Sequence, residues 1–197
     1  MIVVIDNYDS FTYNLVNMLK VKTKTVVVHP DDVLPIEDVT GVVISPGPGH
    51  PLDNQQLMHV IKTYQHIPIL GICLGAQALT CYYGGDVIVG QEVMHGKVDT
   101  LFVRNHTDIY EYCPNECNIM RYHSLISDYE TFPDSLVITA ETKDAIQSFR
   151  HEHKPHYGIQ YHPESFASEY GAEIIEAYLK IVKEYYDDTI KKADAAS

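Results

Sequence analysis

The residues with the most chemical potential lie in three short segments. In Pro68-Ile69-Leu70-Gly71-Ile72-Cys73-Leu74-Gly75-Ala76-Gln77-Ala78-Leu79, a cysteine flanked by glycines joins an apolar run to a stretch of helical spacing. Strand, sharp turn and helix in that order present the apex side chain as a nucleophile, here sulfur in place of a serine oxygen, and the glycines permit a turn that would otherwise clash. A thiol at that apex sits at the positive end of a helix dipole, where the thiolate is favoured, and the backbone N–H of Leu74 is the natural donor to an oxyanion. The chemistry would be nucleophilic catalysis by the thiolate. Against it stands the reading of Cys73 as one more small buried side chain, a common fate of free cysteine.

The second segment, Gly158-Ile159-Gln160-Tyr161-His162-Pro163-Glu164-Ser165, is a strand ending in a histidine, with Pro163 fixing φ and Glu164 two positions on. Extended residues i and i+2 face the same way, so the carboxylate can orient the imidazole and stabilise its protonated form while the other ring nitrogen faces the cysteine. A histidine closing a strand is ordinary by itself, as is a glutamate opening a helix; beside a cysteine elbow the plain reading needs two coincidences. The third segment, Ser45-Pro46-Gly47-Pro48-Gly49-His50-Pro51, is a rigid turn after a strand whose glycines let backbone N–H groups approach a ligand. Taken alone it is punctuation between elements.

The elements that must position these segments follow from periodicity. Short β-branched runs at Ile2–Ile5, Thr25–His29, Val42–Ser45, Ile67–Ile72, Val98–Val103, Leu136–Thr139, Ala145–Phe149 and Tyr157–Tyr161 predict strands. Helical spacing covers Phe11–Leu19, Gln55–Tyr64 and Ala76–Tyr83, so the first half alternates strand and helix and predicts a parallel sheet, with antiparallel strands added by the second half. Ile174, Ile175, Tyr178, Ile181, Val182 and Tyr185 predict an amphipathic helix over Gly171–Asp187 docking on the sheet, and the polar end KKADAAS is expected to fray. No repeat, low-complexity block or long linker divides the chain, and the expected class is a single α/β domain.

Composition excludes several classes of function. Fourteen basic against 27 acidic residues give a formal charge of −13, which repels phosphate backbones and anionic membranes. No stretch reaches the roughly 18 consecutive apolar residues of a membrane span, and the expectation is a cytoplasmic protein with neither nucleic-acid nor membrane partners. Cys73, Cys81, Cys113 and Cys117 contain no CxxC pair, so free thiols are expected, with no metal site. The His151-Glu152-His153 cluster is expected to be a solvated turn.

With SPGPG, GICLGAQAL and YHPES in this order, the chain resembles the class I (triad) glutamine amidotransferases over nearly its whole length. The opening IDNYDSFTYNLV, Met94-His95-Gly96-Lys97 and Arg121-Tyr122-His123-Ser124-Leu125 are similar to the small component, component II, of anthranilate synthase or of aminodeoxychorismate synthase. The resemblance implies a three-layer fold, a mostly parallel sheet flanked by helices with additional antiparallel strands, in an amidotransferase domain over residues 1–190 followed by a polar tail, 191–197. It implies Cys73 as nucleophile, His162 as general base and acid, and Glu164 as its orienting partner. L-glutamine would be held by Gly47, Pro48, Gly49, Leu74, Gln77, Ser124 and Leu125, without cofactor or metal. The ammonia released would pass to a large chorismate-binding synthase subunit, component I, which the MHGK segment would lie near. The product would be anthranilate, for tryptophan, or 4-amino-4-deoxychorismate, for folate. Ala76 departs from the larger residue many relatives carry there, which affects the packing of the pocket. Two other readings stand beside this one: an independent elbow-cysteine hydrolase of the γ-glutamyl hydrolase type, and a catalytically silent regulatory subunit.

Overall fold

A computed structural model describes residues 1–32 and 37–196. In chain order the strands are β1 (Ile2–Ile5), β2 (Thr25–Val28), β3 (Gly41–Ile44), β4 (Ile69–Ile72), β5 (Val87–Val89), β6 (Lys97–Val103), β7 (Glu116–Arg121), β8 (Leu125–Ser127), β9 (Leu136–Glu141), β10 (Ile146–His151) and β11 (His156–Ile159). The helices are α1 (Thr12–Lys20), α2 (Gln55–Thr63), α3 (Leu74–Tyr82) and α4 (Gly171–Ala196).

Strands β2, β1, β3, β4 and β11 pair in parallel in that spatial order, and the sheet continues antiparallel through β10, β9, β6 and β7. β5 and β8 form a separate antiparallel pair. The parallel strands β1, β3, β4 and β11 are buried at every position, as strands covered on both faces must be, and this is why they read as unbroken apolar runs. Alternation along β1 divides the core: Ile2 and Val4 pack with residues of α1 and α4, whereas Val3 and Ile5 pack with residues of α2 and α3. The expected three-layer α/β architecture is the one found.

Helix α4 buries Ile174, Ile175, Tyr178 and Val182, and the Tyr178 hydroxyl donates to the Val42 carbonyl at 2.8 Å, which ties the helix to the centre of the sheet. The expected fraying after residue 190 is not found: α4 remains helical through Ala196, with its last turns exposed. Ser197 lies outside the described residues. Helix α3 begins at Leu74, two residues earlier than the periodicity suggests, because Cys73 itself ends the turn. The solvated turn expected at 151–153 is only partly so. His151 is buried at the end of β10, where its Nδ1 accepts from the backbone N–H groups of His153 and Lys154 at 3.0 Å each; Glu152 and His153 are exposed.

Strands β7 and β8 carry no β-branched run, and β5 is a run of only three residues, Val87-Ile88-Val89, so none of the three is among the expected strands, yet β7 bears directly on the site. The His162 N–H donates to the Met120 carbonyl at 3.1 Å, and the Ser168 hydroxyl accepts from the Met120 N–H and donates to the His162 carbonyl.

Candidate active site

The carboxyl ends of β3 and β4 open on one cavity, the usual ligand position in an open α/β sheet, and the segment after β11 reaches it at Cys73 through Gln160. Between β4 and α3, Cys73 adopts φ 52° and ψ −105°, a backbone region non-glycine residues rarely enter. The two glycines of the elbow make this possible. A Cβ on Gly71 would come within 2.4 Å of the Gly75 backbone, and one on Gly75 within 2.4 Å of the Ile44 carbonyl oxygen. The turn is therefore folded so tightly onto itself and onto β3 that hydrogen is the only side chain either position admits. The Cys73 N–H donates to Ile159 O at 2.7 Å, joining the elbow to the strand that leads to His162.

His162 is 3% exposed and hydrogen-bonds through Nδ1 to Glu164 Oε1 at 2.6 Å, with the Cys73 side chain near enough to act on its protonation. Phe11 and Tyr122 meet the imidazole edge-on, with centroids 5.4 Å and 5.1 Å away. Burial works against the imidazolium, but Cys73 and Glu164 outweigh it and push the His162 pKa up to about 10. The Glu164 side chain is fully buried with Oε2 unpartnered, so its charge is compensated through His162. The Pro163 carbonyl packs against the start of α4: a Cβ on Gly171 would lie 1.9 Å from it, so the helix end and the His-Pro-Glu turn fit only with glycine there.

The cavity, about 400 Å³, is lined by Gly47, Pro48, Gly49, Cys73, Gln77, Ser124 and Leu125, together with His50, Tyr122 and His123. Leu74 packs behind this wall, its side chain against Gly47 and in a second, smaller cavity. Ala76 is buried in the core with Ile44 and Leu57 and does not line the cavity, so the small residue there leaves the opening unaltered. Asn7, from the opening segment, holds the glycine-proline turn. Its N–H donates to Ser45 Oγ at 2.9 Å and its Nδ2 to Ser45 O at 2.8 Å, and its Cβ abuts Gly47.

Three contributors are not anticipated from sequence. Arg121, 1% exposed, is clamped by Asp99 at 2.6 Å and by both oxygens of Asp144 at 2.7 and 2.9 Å. Its Nε donates to His123 Nε2 at 3.2 Å, and His123 Nδ1 donates to Leu125 O at 3.0 Å. Burial first, then the Arg121 charge, pushes the His123 pKa down to about 4, so the ring is a neutral strut behind the Ser124-Leu125 wall. Gln160 reaches Cys73 from the segment that follows β11 and carries His162; β11 ends at Ile159, short of the histidine that the sequence placed at the strand end. Alternation in the strand predicted over Tyr157–Tyr161 is the one signal available, since extended residues two apart face the same way.

The remaining cysteines are placed differently. Burial pushes Cys81 and Cys117 up to about 11 and Cys113 up to about 12, and the last two lie in the core. Among the described residues no group of three or more His, Cys, Asp or Glu side chains could hold a metal ion, and no helix is long and apolar enough to cross a membrane.

A nucleophile elbow facing a cavity, backed by a paired His and Glu on an α/β sheet, defines an amidohydrolase type of site. The sequence pattern of the family Glutamine amidotransferase class-I matches residues 3–182. Anthranilate synthase component 2 of Pyropia yezoensis is 40% identical over 91% of this chain and 99% of its own. Aminodeoxychorismate/anthranilate synthase component 2 of Bacillus subtilis is 38% identical over 91% and 96%. The solved structure of a protein assigned to GMP synthase, from Thermoplasma acidophilum, superposes with a TM-score of 0.88 at 26% identity, covering 95% of this chain and 96% of that one. The chain belongs to the class-I glutamine amidotransferase family, and its activity is that of a glutamine amidotransferase.

Proposed function

We propose that the cavity binds L-glutamine and that Cys73, His162 and Glu164 hydrolyse its side-chain amide, releasing ammonia to a separate synthase subunit that uses chorismate. The observation that carries this reading is the elbow. A cysteine held at φ 52° against glycines that admit no side chain faces a cavity and favours the imidazolium of the neighbouring His162.

The Cys73 thiolate attacks the amide carbon, and the oxyanion is received by backbone N–H groups of Leu74 and Gly47. The adduct collapses as His162 delivers a proton to the departing ammonia. Water, activated by the then neutral His162, cleaves the γ-glutamyl thioester and returns the thiol. Gly47, Pro48, Gly49, Gln77, Ser124 and Leu125 hold the substrate around the reacting bond.

The names of the relatives support a component I partner and cover both products, anthranilate and 4-amino-4-deoxychorismate; the partner's own site decides between them. The MHGK segment suits a docking role. Met94 is buried as an anchor, His95 to Lys97 are exposed, and a Cβ on Gly96 would lie 3.1 Å from the ring of Tyr122, whose edge meets His162. A partner touching this loop thus acts one side chain away from the catalytic base.

Peptide mapping after treatment with a glutamine-like electrophile tests the nucleophile: the label is expected on Cys73 and not on Cys81, Cys113 or Cys117, and label elsewhere rejects the assignment. Glutaminase turnover of the chain alone, then with component I and chorismate, tests the partner. A rise is expected, and equal rates would favour an independent hydrolase.

A further inference from the structure

We propose that Gln160 is a further catalytic residue, whose side-chain amide donates a hydrogen bond to the Cys73 sulfur in an orientation imposed through Gln77 by the Leu125 carbonyl. The inference rests on the reading of Cys73 as nucleophile.

The two ends of a glutamine amide have nearly the same shape, so which end faces the sulfur follows from hydrogen-bond logic. A backbone carbonyl can only accept. Gln77 therefore presents Nε2 to Leu125 O, at 3.0 Å. The same Nε2 lies 3.1 Å from Gln160, which must offer its oxygen, Oε1. The Gln160 Nε2 is thereby turned to Cys73 Sγ, 3.6 Å away, a hydrogen-bond length for the larger sulfur atom.

The origin of this direction is itself fixed. Leu125 O also receives His123 Nδ1, whose ring is locked by the N–H of Arg121 on its other nitrogen. Gln77 and Gln160 are each 3% exposed, so solvent offers neither amide an alternative partner that would favour a flip.

Negative charge appears on this sulfur twice. It forms when the thiol gives its proton to His162, and again when the hydrated thioester collapses, its C–S bond breaking with the electron pair returning to sulfur. A neutral N–H aimed at the atom favours both events, and does so without placing a second cation beside His162. Gln160 thus approaches the sulfur from the same segment, just past β11, as the base; Gln77 is a positioning residue acting through it.

The test is the pH profile of Cys73 alkylation by iodoacetamide on the full chain, wild type against Gln160→Met and Gln160→Glu. Methionine keeps the length and loses the donor. Glutamate keeps the acceptor for Gln77 and turns an oxygen toward the sulfur, so it reads the same effect should the methionine variant fold poorly.

Near pH 7, loss of a charge-assisted hydrogen bond should slow alkylation by about tenfold in the methionine variant, and by more in the glutamate variant. At pH values well above the ordinary thiol range the rates should converge on wild type. Profiles that superimpose on wild type, or rates lowered equally at every pH, overturn the proposal. A failure of the nucleophile reading is distinguishable, because the wild-type label would then map to another cysteine.

Discussion

His162 and His123 stand beside the same cavity at 3% and 4% exposure, and burial is the largest influence on each, opposing the charged ring. Their outcomes are opposite. At His123 the neighbouring guanidinium of Arg121 adds to burial and the pKa is pushed down to about 4; at His162 Cys73 and Glu164 overcome burial and push it up to about 10. Depth therefore does not decide the state of a buried imidazole. The sign of the group at hydrogen-bond distance does. The two states suit two tasks: a neutral ring accepts on one side and donates on the other, and so can brace Leu125, whereas a ring that holds a proton beside sulfur can deliver it.

The most severe way to break this contrast is to remove the sulfur. Cys73→Ala should lower glutamine-dependent synthesis by the assembled complex by at least about 10⁴-fold, while synthesis from ammonium salts stays within about twofold. In the same variant the His162 resonance should titrate at lower pH, since Glu164 alone then opposes burial. A loss of both activities would show that Cys73 serves assembly, and an unmoved titration would remove sulfur from the account of His162.

Next in size is the carboxylate. Glu164→Gln keeps the hydrogen-bonding shape but removes the charge that the imidazolium faces at 2.6 Å, and kcat should fall about 10²- to 10³-fold. Steady-state glutaminase kinetics with the partner present read this directly. A fall confined to KM would instead make Glu164 part of glutamine binding.

The third change acts on the other histidine. Arg121→Met leaves Asp99 and Asp144 without their shared cation and His123 without its donor, and should destabilise the chain by about 3 kcal/mol, measured by urea unfolding. The His123 titration should move upward but remain below the ordinary imidazole range, because burial, its first cause, is untouched. A titration that stays near 4 would mean that burial alone sets it.

What could be read from sequence follows how locally each feature is encoded. The parallel strands were legible because a strand covered on both faces is apolar at consecutive positions, as in Ile2–Ile5 and Ile69–Ile72. The elbow was legible because its strain is relieved within five residues, Gly71 to Gly75. β7, Glu116-Cys117-Asn118-Ile119-Met120-Arg121, was not: it is an outer strand with polar residues on one face, and its Arg121 is buried only because Asp99 and Asp144 arrive from other parts of the chain. Gln160 escaped for the same reason, since its side-chain partners Gln77 and Cys73 lie 83 and 87 positions away in sequence. Lys191–Ala196 misled in the opposite sense, a polar end that still forms helix without burying anything.

The smallest expected effect is on the pH dependence of stability, where the two histidines should act on opposite limbs. His123 and His156 stay neutral in the native chain down to about 4, His156 chiefly because it is buried. An unfolded imidazole protonates near 6.5, so between about 6.5 and 4 the unfolded chain binds more protons and stability falls as pH falls. His162 reverses the sign. Its stabilisation is full below about 6.5 and is lost as pH rises toward 10, because the native ring keeps a proton the unfolded one releases. From these groups the maximum should lie near pH 6.5, each proton contributing a limb slope of at most about 1.4 kcal/mol per pH unit. His151, displaced in the same direction as His123, adds to the acid limb and not to the alkaline one. His123→Asn should therefore make the acid limb shallower by up to one proton and leave the alkaline limb parallel to wild type, whatever it does to stability overall. Urea midpoints from about pH 4.5 to 9.5, at constant m, measure both slopes. An unchanged acid slope would mean that His123 is protonated in the native chain near neutral pH, and the strut would then have to donate to Arg121, which its geometry forbids.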